Sequence, residues 1–514
     1  ESGKTAQGSE SVAIGYVAGQ LSQNALSVAI GSNAGQSYQG TQSVAMGDNA
    51  GESYQSVRSI AIGFEAAQKN QSSNATAIGF QAGYVSQGCY SVALGYKTGY
   101  SGQKRSCVAV GSSCANENQG EGAIAIGYAC AQSNQGQNSI AIGRGCGQFT
   151  QGQQSVAIGW QSGTIGQNNY AVAIGTLCGW NIQGSASVAV GYQCGKDKQG
   201  RSSTAMGYNA ARSNQGSESV AIGFGCGELT QGRQTLAIGT QAGYQSQSSQ
   251  SVAAGYQSGM FFQNAAAVAI GWKAGESYQG LGGIAIGTGV GARNQGCESV
   301  AIGWFAGTSF QGTRCVAIGG GTAVHYQSPD SIAIGFRAGE NRLSSNTIVI
   351  GNKAGQGSNN TFNTNPITGT GTNSIIINAT GDVLNFTKNN ALCIKNISNS
   401  SGGAALYWSS STGEVHTGSS DDRVKVNEVH IENATDTLLK LKPQNYDKLE
   451  DIGSSNIIGY ESGLMAQDIW YDTPELRHMV VLAEGAEPTE EKPPAPSDSL
   501  QDDPDYSAWG PKAS

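Results

Sequence analysis

Hydrophobic and polar positions along the first two thirds of the chain repeat with a strict period of sixteen residues. The repeated motif is Ser-Val-Ala-Ile-Gly, as at 11–15, and its glycine recurs from Gly15 to Gly351 in twenty-two copies without an insertion. An apolar residue precedes the glycine, and another usually stands two residues earlier; alternation with period two predicts a β-strand. Alanine lies between them in every copy except the last, where Val349 replaces it. The opposite face of the strand therefore demands a small side chain.

Two further positions of the repeat predict how the chain turns. Three residues after the glycine stands a small residue, such as Ala18 or Ala34, which indicates a narrow interior. Eight residues after the glycine stands glutamine, from Gln7 to Gln327, often followed by Gly or Asn. Because Gly and Asn tolerate positive φ, we place a turn there. Identical amides one coil apart can form a hydrogen-bonded ladder.

These positions together predict an all-β fold for residues 1–356, a parallel β-roll solenoid of 22 sixteen-residue coils. At a coil spacing of about 4.8 Å, the stack would be about 105 Å long. The Ser-Val-Ala-Ile-Gly coils resemble the head repeats of trimeric autotransporter adhesins. That resemblance implies left-handed parallel β-rolls that associate as three chains.

Composition and charge narrow the classes of partner. The chain has 76 Gly, 12% charged residues and a net charge of −8. Its Lys and Arg are scattered without clusters, so we expect no nucleic-acid partner. No apolar run approaches the length of a membrane span, so we expect no membrane insertion. Since the sequence begins at Glu1 without an initiator Met, we expect a processed product or a fragment.

The cysteines and histidines predict no cofactor or metal. Six of the eleven cysteines occupy the small inward position that alanine fills elsewhere: Cys114, Cys130, Cys146, Cys178, Cys194 and Cys226. We interpret them as small hydrophobic residues with free thiols, which favours assembly in a reducing compartment. Stacking of cysteines between coils stays open as an alternative. The four histidines are too dispersed to build a metal site.

An aromatic residue follows the repeat glycine in thirteen copies. Two interpretations stay open: a platform on which sugar rings stack, or a row that packs between chains, which we favour. The glycan candidates are Trp160, Tyr192, Trp272 and Trp304. No pair of acidic residues recurs at a fixed position in the repeats, which argues against glycoside hydrolysis there.

Residues 357–418 contain short apolar segments separated by turns, namely Ser-Ile-Ile-Ile-Asn at 374–378, Ala-Leu-Cys-Ile at 391–394 and Ala-Leu-Tyr-Trp at 405–408. Such strands could not bury their apolar residues alone, so we expect three chains to intertwine as a trimeric β-stalk. The segment resembles the stalks of viral fibres and tailspikes.

From residue 419 the charge rises, glycine becomes rare, and residues 434–441 read as a short amphipathic helix. This change predicts a small α+β domain over 419–514. Its motifs Ser-Asp-Asp-Arg-Val-Lys-Val-Asn at 420–427, Leu-Lys-Leu-Lys-Pro at 439–443 and Gly-Leu-Met-Ala-Gln at 463–467 resemble the endosialidase-type intramolecular chaperone domain. The resemblance implies a domain that helps three chains fold and then cuts itself off. We expect its usual final long helix to be missing, because the sequence stops at Ser514.

The chemistry implied by this resemblance is a Ser/Lys dyad. Ser420 would be the nucleophile and Lys425 its base, with Asp421 and Asn427 in supporting roles. Attack by Ser420 on the preceding carbonyl passes through a five-membered ring, so we place the scissile bond between Ser419 and Ser420. If the serine of a neighbouring chain attacks instead, ring size no longer limits the scissile bond to Ser419–Ser420.

We therefore expect a homotrimeric viral fibre or tailspike-like adhesin that acts as a single-turnover serine endopeptidase on itself. Its location would be the virion surface, after assembly in the host cytoplasm. Its other partners would be virion proteins and a host-surface glycan or receptor. Two alternatives are a cellular surface adhesin with the same chaperone and a glycan-degrading spike.

Overall fold

The computed structural model describes residues 2–356, 370–378, 380, 384, 388–395, 406–408, 415–417, 434–449, 457–464 and 466–479. The chain divides into two compact units, residues 1–398 and 399–514. The first unit is a parallel β-solenoid with two walls, and this confirms the predicted solenoid.

The first wall, called here the Val-Ala-Ile wall, contains the repeated motif. Its 24 strands are Val12–Ile14, Val28–Ile30, Val44–Met46, Ile60–Ile62, Thr76–Ile78, Val92–Tyr96, Val108–Ser112, Ile124–Tyr128, Ile140–Ile142, Val156–Ile158, Val172–Thr176, Val188–Tyr192, Thr204–Tyr208, Val220–Ile222, Leu236–Ile238, Val252–Ala254, Val268–Ile270, Ile284–Thr288, Val300–Trp304, Val316–Gly320, Ile332–Ile334, Ile348–Gly351, Ile375–Asn378 and Leu392–Lys395.

The second wall, called here the Gln wall, consists of strands that end on the repeated glutamine. They are Thr5–Gln7, Leu21–Gln23, Ser37–Gln39, Ser53–Gln55, Lys69–Gln71, Val85–Gln87, Glu117–Gln119, Ser133–Gln135, Phe149–Gln151, Ile165–Gln167, Asn181–Gln183, Asp197–Gln199, Ser213–Gln215, Gln245–Gln247, Phe261–Gln263, Ser277–Gln279, Arg293–Gln295, Ser309–Gln311 and His325–Gln327. Isolated parallel bridges through Ser101, Gln231 and Leu343 continue this wall where a coil has no full strand.

Register is constant along the repeats, because each residue pairs with its equivalent one coil away. In the Val-Ala-Ile wall, for example, Ala93 lies opposite Ala77 on one side and Ala109 on the other. In the Gln wall, Gln39 lies between Gln23 and Gln55 in the same way. A sixteen-residue coil therefore places identical positions in straight rows along the solenoid.

Small side chains fill the space between the walls. The strand alanine, for example Ala29, and the small residue three positions after the glycine, for example Ala34, are both fully buried. Buried serine and glutamine from the rest of the coil complete this interior. Alanine supplies little apolar area, so hydrogen bonding by the glutamines must hold the walls together as well.

The glutamine amide crosses the interior. Nε2 of Gln71 donates to the carbonyl of Ile60 at 2.8 Å, and this bond joins the two walls within one coil. The same nitrogen lies 2.9 Å from Oε1 of Gln87 in the next coil, and Gln55 donates to Gln71 at 3.1 Å. The predicted amide ladder is therefore present in segments, for example over Gln55–Gln87 and Gln135–Gln183.

The repeat glycine is required by close contact between coils. Gly175 has φ of +122°, and a Cβ added there would lie 1.9 Å from the carbonyl oxygen of Gly191 in the next coil. The turn lies where it was predicted, directly after the repeated glutamine, as at residues 41–42, but the predicted site of positive φ needs a correction. Positive φ falls one residue before the repeated glutamine and three residues after it, as at Tyr38 and Gln42, and Gly40 directly after it does not adopt positive φ.

The aliphatic residues of the motif point outward. The side chains that precede the repeat glycine form an exposed row along the Val-Ala-Ile wall, called here the aliphatic row. Its most exposed members are Ile14, Met46, Leu94, Ile126, Ile174, Met206, Ile222, Ile238, Ile270, Ile286, Ile334 and Ile350. Period two predicted the strand correctly, but the interior accepts the alanine and leaves the larger side chains half exposed.

The parallel wall continues beyond residue 356, where the sequence predicted the solenoid to end and a stalk over 357–418 to begin. Ile348–Gly351 pairs in parallel with Ile375–Asn378, which pairs with Leu392–Lys395. Ile376 takes the inward position of the strand alanine and is fully buried. The trimeric stalk remains a prediction, and the strands at 375–378 and 392–395 extend the sheet.

The second unit contains four strands and short helices among its described residues. Leu406–Trp408 pairs antiparallel with Val415–Thr417, and Gln444–Leu449 pairs antiparallel with Ile457–Gly463. The helices are α1 (Ala434–Lys440), α2 (Ala466–Asp472) and a 3-10 helix (Pro474–Met479). None of the helices in the described part of the chain has the length and apolar content of a membrane span.

We expect Gln167→Ala to lower the free energy of unfolding. Gln167 donates to the carbonyls of Val156 and Ala171 and to Gln183. Each buried group left without a partner costs about 1–3 kcal/mol, and the lost side chain leaves a cavity. The midpoint of guanidinium unfolding, followed by circular dichroism, measures the effect. Gln153→Ala, on the exposed edge of a coil, should change stability by less than about 0.5 kcal/mol. Equal effects of the two substitutions would contradict the role of the ladder.

Candidate functional site

The predicted self-cleavage site lies outside the described residues. Ser419, Ser420, Asp421, Lys425 and Asn427 all fall between 418 and 433, which the structure does not describe. The assignment of Ser420 as nucleophile and Lys425 as base therefore stays a prediction. The described residues begin again at α1, seven positions after Asn427.

Helix α1 forms where the sequence predicts it. Asp436 in the first turn and Lys440 in the last turn match the helix dipole. Thr437 is buried, whereas Leu438 and Leu439 are exposed at 64% and 77%. Two adjacent exposed leucines in one short helix leave an apolar surface in this unit.

Helix α2 and the 3-10 helix pack together through local contacts. The backbone N–H of Thr473 donates to the carbonyl of Ile469, and both side chains are buried. Arg477 donates through Nε to the carbonyl of Trp470 at 2.5 Å, and its guanidinium lies 5.2 Å from the centre of that indole ring. Nζ of Lys442, just after α1, lies 2.9 Å from a carboxylate oxygen of Asp472. This ion pair ties the segment after α1 to the end of α2.

The four residues predicted as candidates for glycan binding are exposed. They differ in whether another aromatic ring stacks on them. Tyr192 stacks on Tyr208 of the next coil, with ring centroids 4.8 Å apart. A sugar binds an aromatic residue by stacking on an open ring face. The stack with Tyr208 covers one of the two faces of Tyr192. The indoles of Trp160, Trp272 and Trp304 take no part in a face-to-face stack among the described residues.

The three tryptophans differ in their neighbours. Nζ of Lys273 lies 5.2 Å from the centre of the Trp272 ring, and Phe305 meets Trp304 edge to face. The next coil places Thr176 beyond Trp160, and Thr288 lies directly opposite Trp304. Within the described part of the chain, each of these three tryptophans therefore lacks a ring stacked face to face on it, whereas Tyr192, which also adjoins a threonine, has Tyr208 on one face.

A second aromatic row was missed in the sequence. It consists of residues directly before the repeated glutamine, and its stacked pairs are Tyr38–Tyr54, Phe262–Tyr278 and Phe310–Tyr326, each at a centroid distance of 5.0 Å. The signal was present as aromatic residues sixteen positions apart. Stacking between coils is therefore a general property of this surface, and it does not by itself indicate a ligand.

The six cysteines predicted to occupy the inward position are all fully buried. One part of the prediction needs a correction, because Cys114 and Cys130 of adjacent coils form a disulfide. The cause is the parallel register, which places their Cα atoms 4.8 Å apart, within the range that disulfides span. The other four inward cysteines have free thiols.

Comparison with known proteins gives a match to one protein family, in the C-terminal part of the chain. Residues 420–477 match a peptidase family whose description is chaperone of endosialidase. No curated protein and no solved structure gave a significant match to the chain. The matched segment includes Ser420 and Lys425 as well as α1, α2 and the hairpin Gln444–Leu449/Ile457–Gly463. The chain thus combines a parallel β-solenoid with a C-terminal chaperone-of-endosialidase domain, and this combination fits a tailspike-like protein.

Proposed function

We propose that the chain is the subunit of a homotrimeric viral fibre or tailspike-like adhesin, whose C-terminal domain aligns three chains and then cuts itself off between Ser419 and Ser420. The observation that carries this proposal is the family match at 420–477, which follows a long and uniform solenoid in the sequence. The protein would be assembled in the host cytoplasm and would act on the virion surface. Trp160, Trp272 and Trp304 would contribute to binding a host glycan or receptor.

The aliphatic row supports association of several chains. A single solenoid leaves this row half exposed over the length of the repeats. Exposed apolar surface of such extent is typical of an interaction surface. Each isoleucine that becomes fully buried would contribute about 1 kcal/mol, so many coils together would give a stable assembly. Copies of the same chain fit this role, because their rows have the same spacing.

Uniformity of the repeats creates the need for a chaperone. Three identical rows can associate in register or shifted by one coil with nearly the same contacts. A domain at one end that brings the three chains together before the solenoids pack removes this ambiguity. The exposed Leu438 and Leu439 of α1 are suited to contacts with other copies.

Cleavage would proceed by acyl transfer within the chain. Oγ of Ser420 attacks the carbonyl carbon of Ser419 while Lys425, as a neutral amine, accepts the hydroxyl proton. The Lys425 ammonium then gives this proton to the peptide nitrogen, and collapse of the five-membered intermediate breaks the peptide bond and leaves an ester of Ser420 with a free amino group. Water then hydrolyses the ester, so the products are a carboxylate at Ser419 and an intact Ser420. Separation of the chaperone makes the assembly irreversible.

We expect the wild-type chain to yield a fragment that begins at Ser420, and Ser420→Ala to remain intact. Lys425→Ala should also abolish cleavage, because the hydroxyl then lacks its base. Mass spectrometry of the purified protein and sequencing of the new N-terminus measure both results. Ser419→Ala is the matched control and should still be cleaved, since it keeps the attacked carbonyl. Cleavage of Ser420→Ala before residue 420 would disprove the assignment.

The aliphatic row gives a separate test of the trimer. We expect the triple variant Ile222→Asp, Ile238→Asp and Ile270→Asp to be recovered as monomer, one third of the parent mass, because burial of charge in an apolar interface is unfavourable. Native mass spectrometry or sedimentation measures this. The control places the same charges on exposed turns, as Gln137→Asp, Gln153→Asp and Asn169→Asp, and should stay trimeric. A trimeric triple variant would show that the row is not the interface.

A further inference from the structure

A row of cysteines lies inside the solenoid, at the position three residues after the repeat glycine. Cys114, Cys130 and Cys146 occupy three successive coils, and Cys178 and Cys194 occupy two. Cys226 stands alone, because Ala210 and Ala242 hold the equivalent positions on either side. All of these side chains are fully buried.

Parallel stacking brings successive cysteines to disulfide distance. Cys114 and Cys130 are bonded, with Cα atoms 4.8 Å apart. Cys178 and Cys194 stand in the same relation, because Thr176 and Tyr192, two residues before them, lie directly opposite each other in the wall. Each thiol donates to a carbonyl of the next coil, Cys178 to Gly191 at 2.9 Å and Cys194 to Gly207 at 2.7 Å, and interaction between the two thiols shifts their pKa values in opposite directions.

We propose that Cys178 and Cys194 form a second disulfide between adjacent coils. The interior cysteine row would then be an oxidation site whose disulfides, here called the staple, link neighbouring coils covalently. This inference does not depend on the chain being viral or trimeric. The two thiols lose two protons and two electrons, and one S–S bond forms. The oxidant is a small disulfide such as glutathione disulfide, which is reduced to two thiols.

The two sulfur atoms differ in reactivity. The hydrogen bond from Cys194 lowers the pKa of Cys178, although burial opposes this. The same hydrogen bond and burial both raise the pKa of Cys194. These shifts belong to the completed stack; during stacking, one of the two thiolates attacks the oxidant and the other then attacks the mixed disulfide.

Burial determines when the bond forms. In the completed stack neither cysteine is accessible, so glutathione disulfide cannot approach the sulfur atoms. The bond must therefore close while the coils are stacking. A chain folded in a reducing compartment keeps both thiols, and a chain folded in an oxidising compartment acquires the staple.

The neighbouring cysteines provide internal controls. Cys146 lies next to the Cys114–Cys130 pair and has no further cysteine on its other side, where Ser162 stands. Burial raises the pKa of Cys146 to about 12 and that of Cys226 to about 11. Both should stay reduced under conditions that oxidise the two pairs.

The experiment compares full-length protein produced in cells with a reducing cytoplasm and in cells with an oxidising cytoplasm. The protein is denatured in the presence of an alkylating reagent without reductant, digested, and mapped by mass spectrometry. We expect a linked Cys178–Cys194 peptide in the oxidised preparation, with seven of the eleven cysteines alkylated, and no such peptide in the reduced preparation. Full alkylation of Cys178 and Cys194 in the oxidised preparation would overturn the proposal.

Cys178→Ala is the matched variant, because alanine is the common residue of this position and should preserve the fold. In the oxidised preparation of this variant, we expect Cys194 to become alkylated. Its guanidinium midpoint should fall below that of the oxidised wild type, and the two should agree when both are reduced. A lower midpoint under both conditions would mean that the side chain acts by packing alone, which also overturns the staple.

Discussion

The buried glutamine amide is the interaction on which the solenoid depends. Alanine supplies so little apolar surface that the walls cannot be held by hydrophobic burial as in an ordinary core. The amide of Gln71 bonds a carbonyl of the opposite wall and the amide of Gln87 in the next coil. One side chain thus links walls within a coil and coils along the axis. A shorter side chain would not reach both of these partners.

The narrow interior also decides what the surface presents. Since the interior of most coils is filled by alanine, cysteine, serine, threonine and glutamine, the aliphatic residues of each motif lie outside it and form the exposed aliphatic row. The same straight rows produce the stacked aromatic surface, for example Phe64, Phe80 and Tyr96. A protein that hides its smallest side chains and exposes larger apolar ones has a surface typical of those that associate with other chains. This imbalance connects the solenoid to the trimer-forming role proposed for the C-terminal domain.

The strand positions, the buried cysteines and the amide ladder could all be predicted from the sequence, because a strict period fixes which residues share a row. Whether the alanine or the aliphatic pair faces inward could not, since period two fits both. The extension to Ile376 and Cys393 was missed because the spacing changes after Gly351. The Cys114–Cys130 bond depends on a coil spacing that the sequence does not contain. The predicted dyad, Ser420 and Lys425, rests on a resemblance, and the family match covers its segment without testing the roles.

The interior is not uniform to its end. In the last coils Leu343 replaces the repeated glutamine, Val349 and Ile376 replace the strand alanine, and all three side chains are fully buried in one cluster. These coils bury more apolar area than coils of alanine and glutamine, so stacking there is more favourable. Folding of a solenoid can start at any coil and spread to its neighbours. The larger side chains favour a start at the end of the solenoid that adjoins the C-terminal unit in sequence. The identical coils cannot specify the register between chains. If the solenoid grows from that end, a C-terminal chaperone would fix this register before those coils begin to pack.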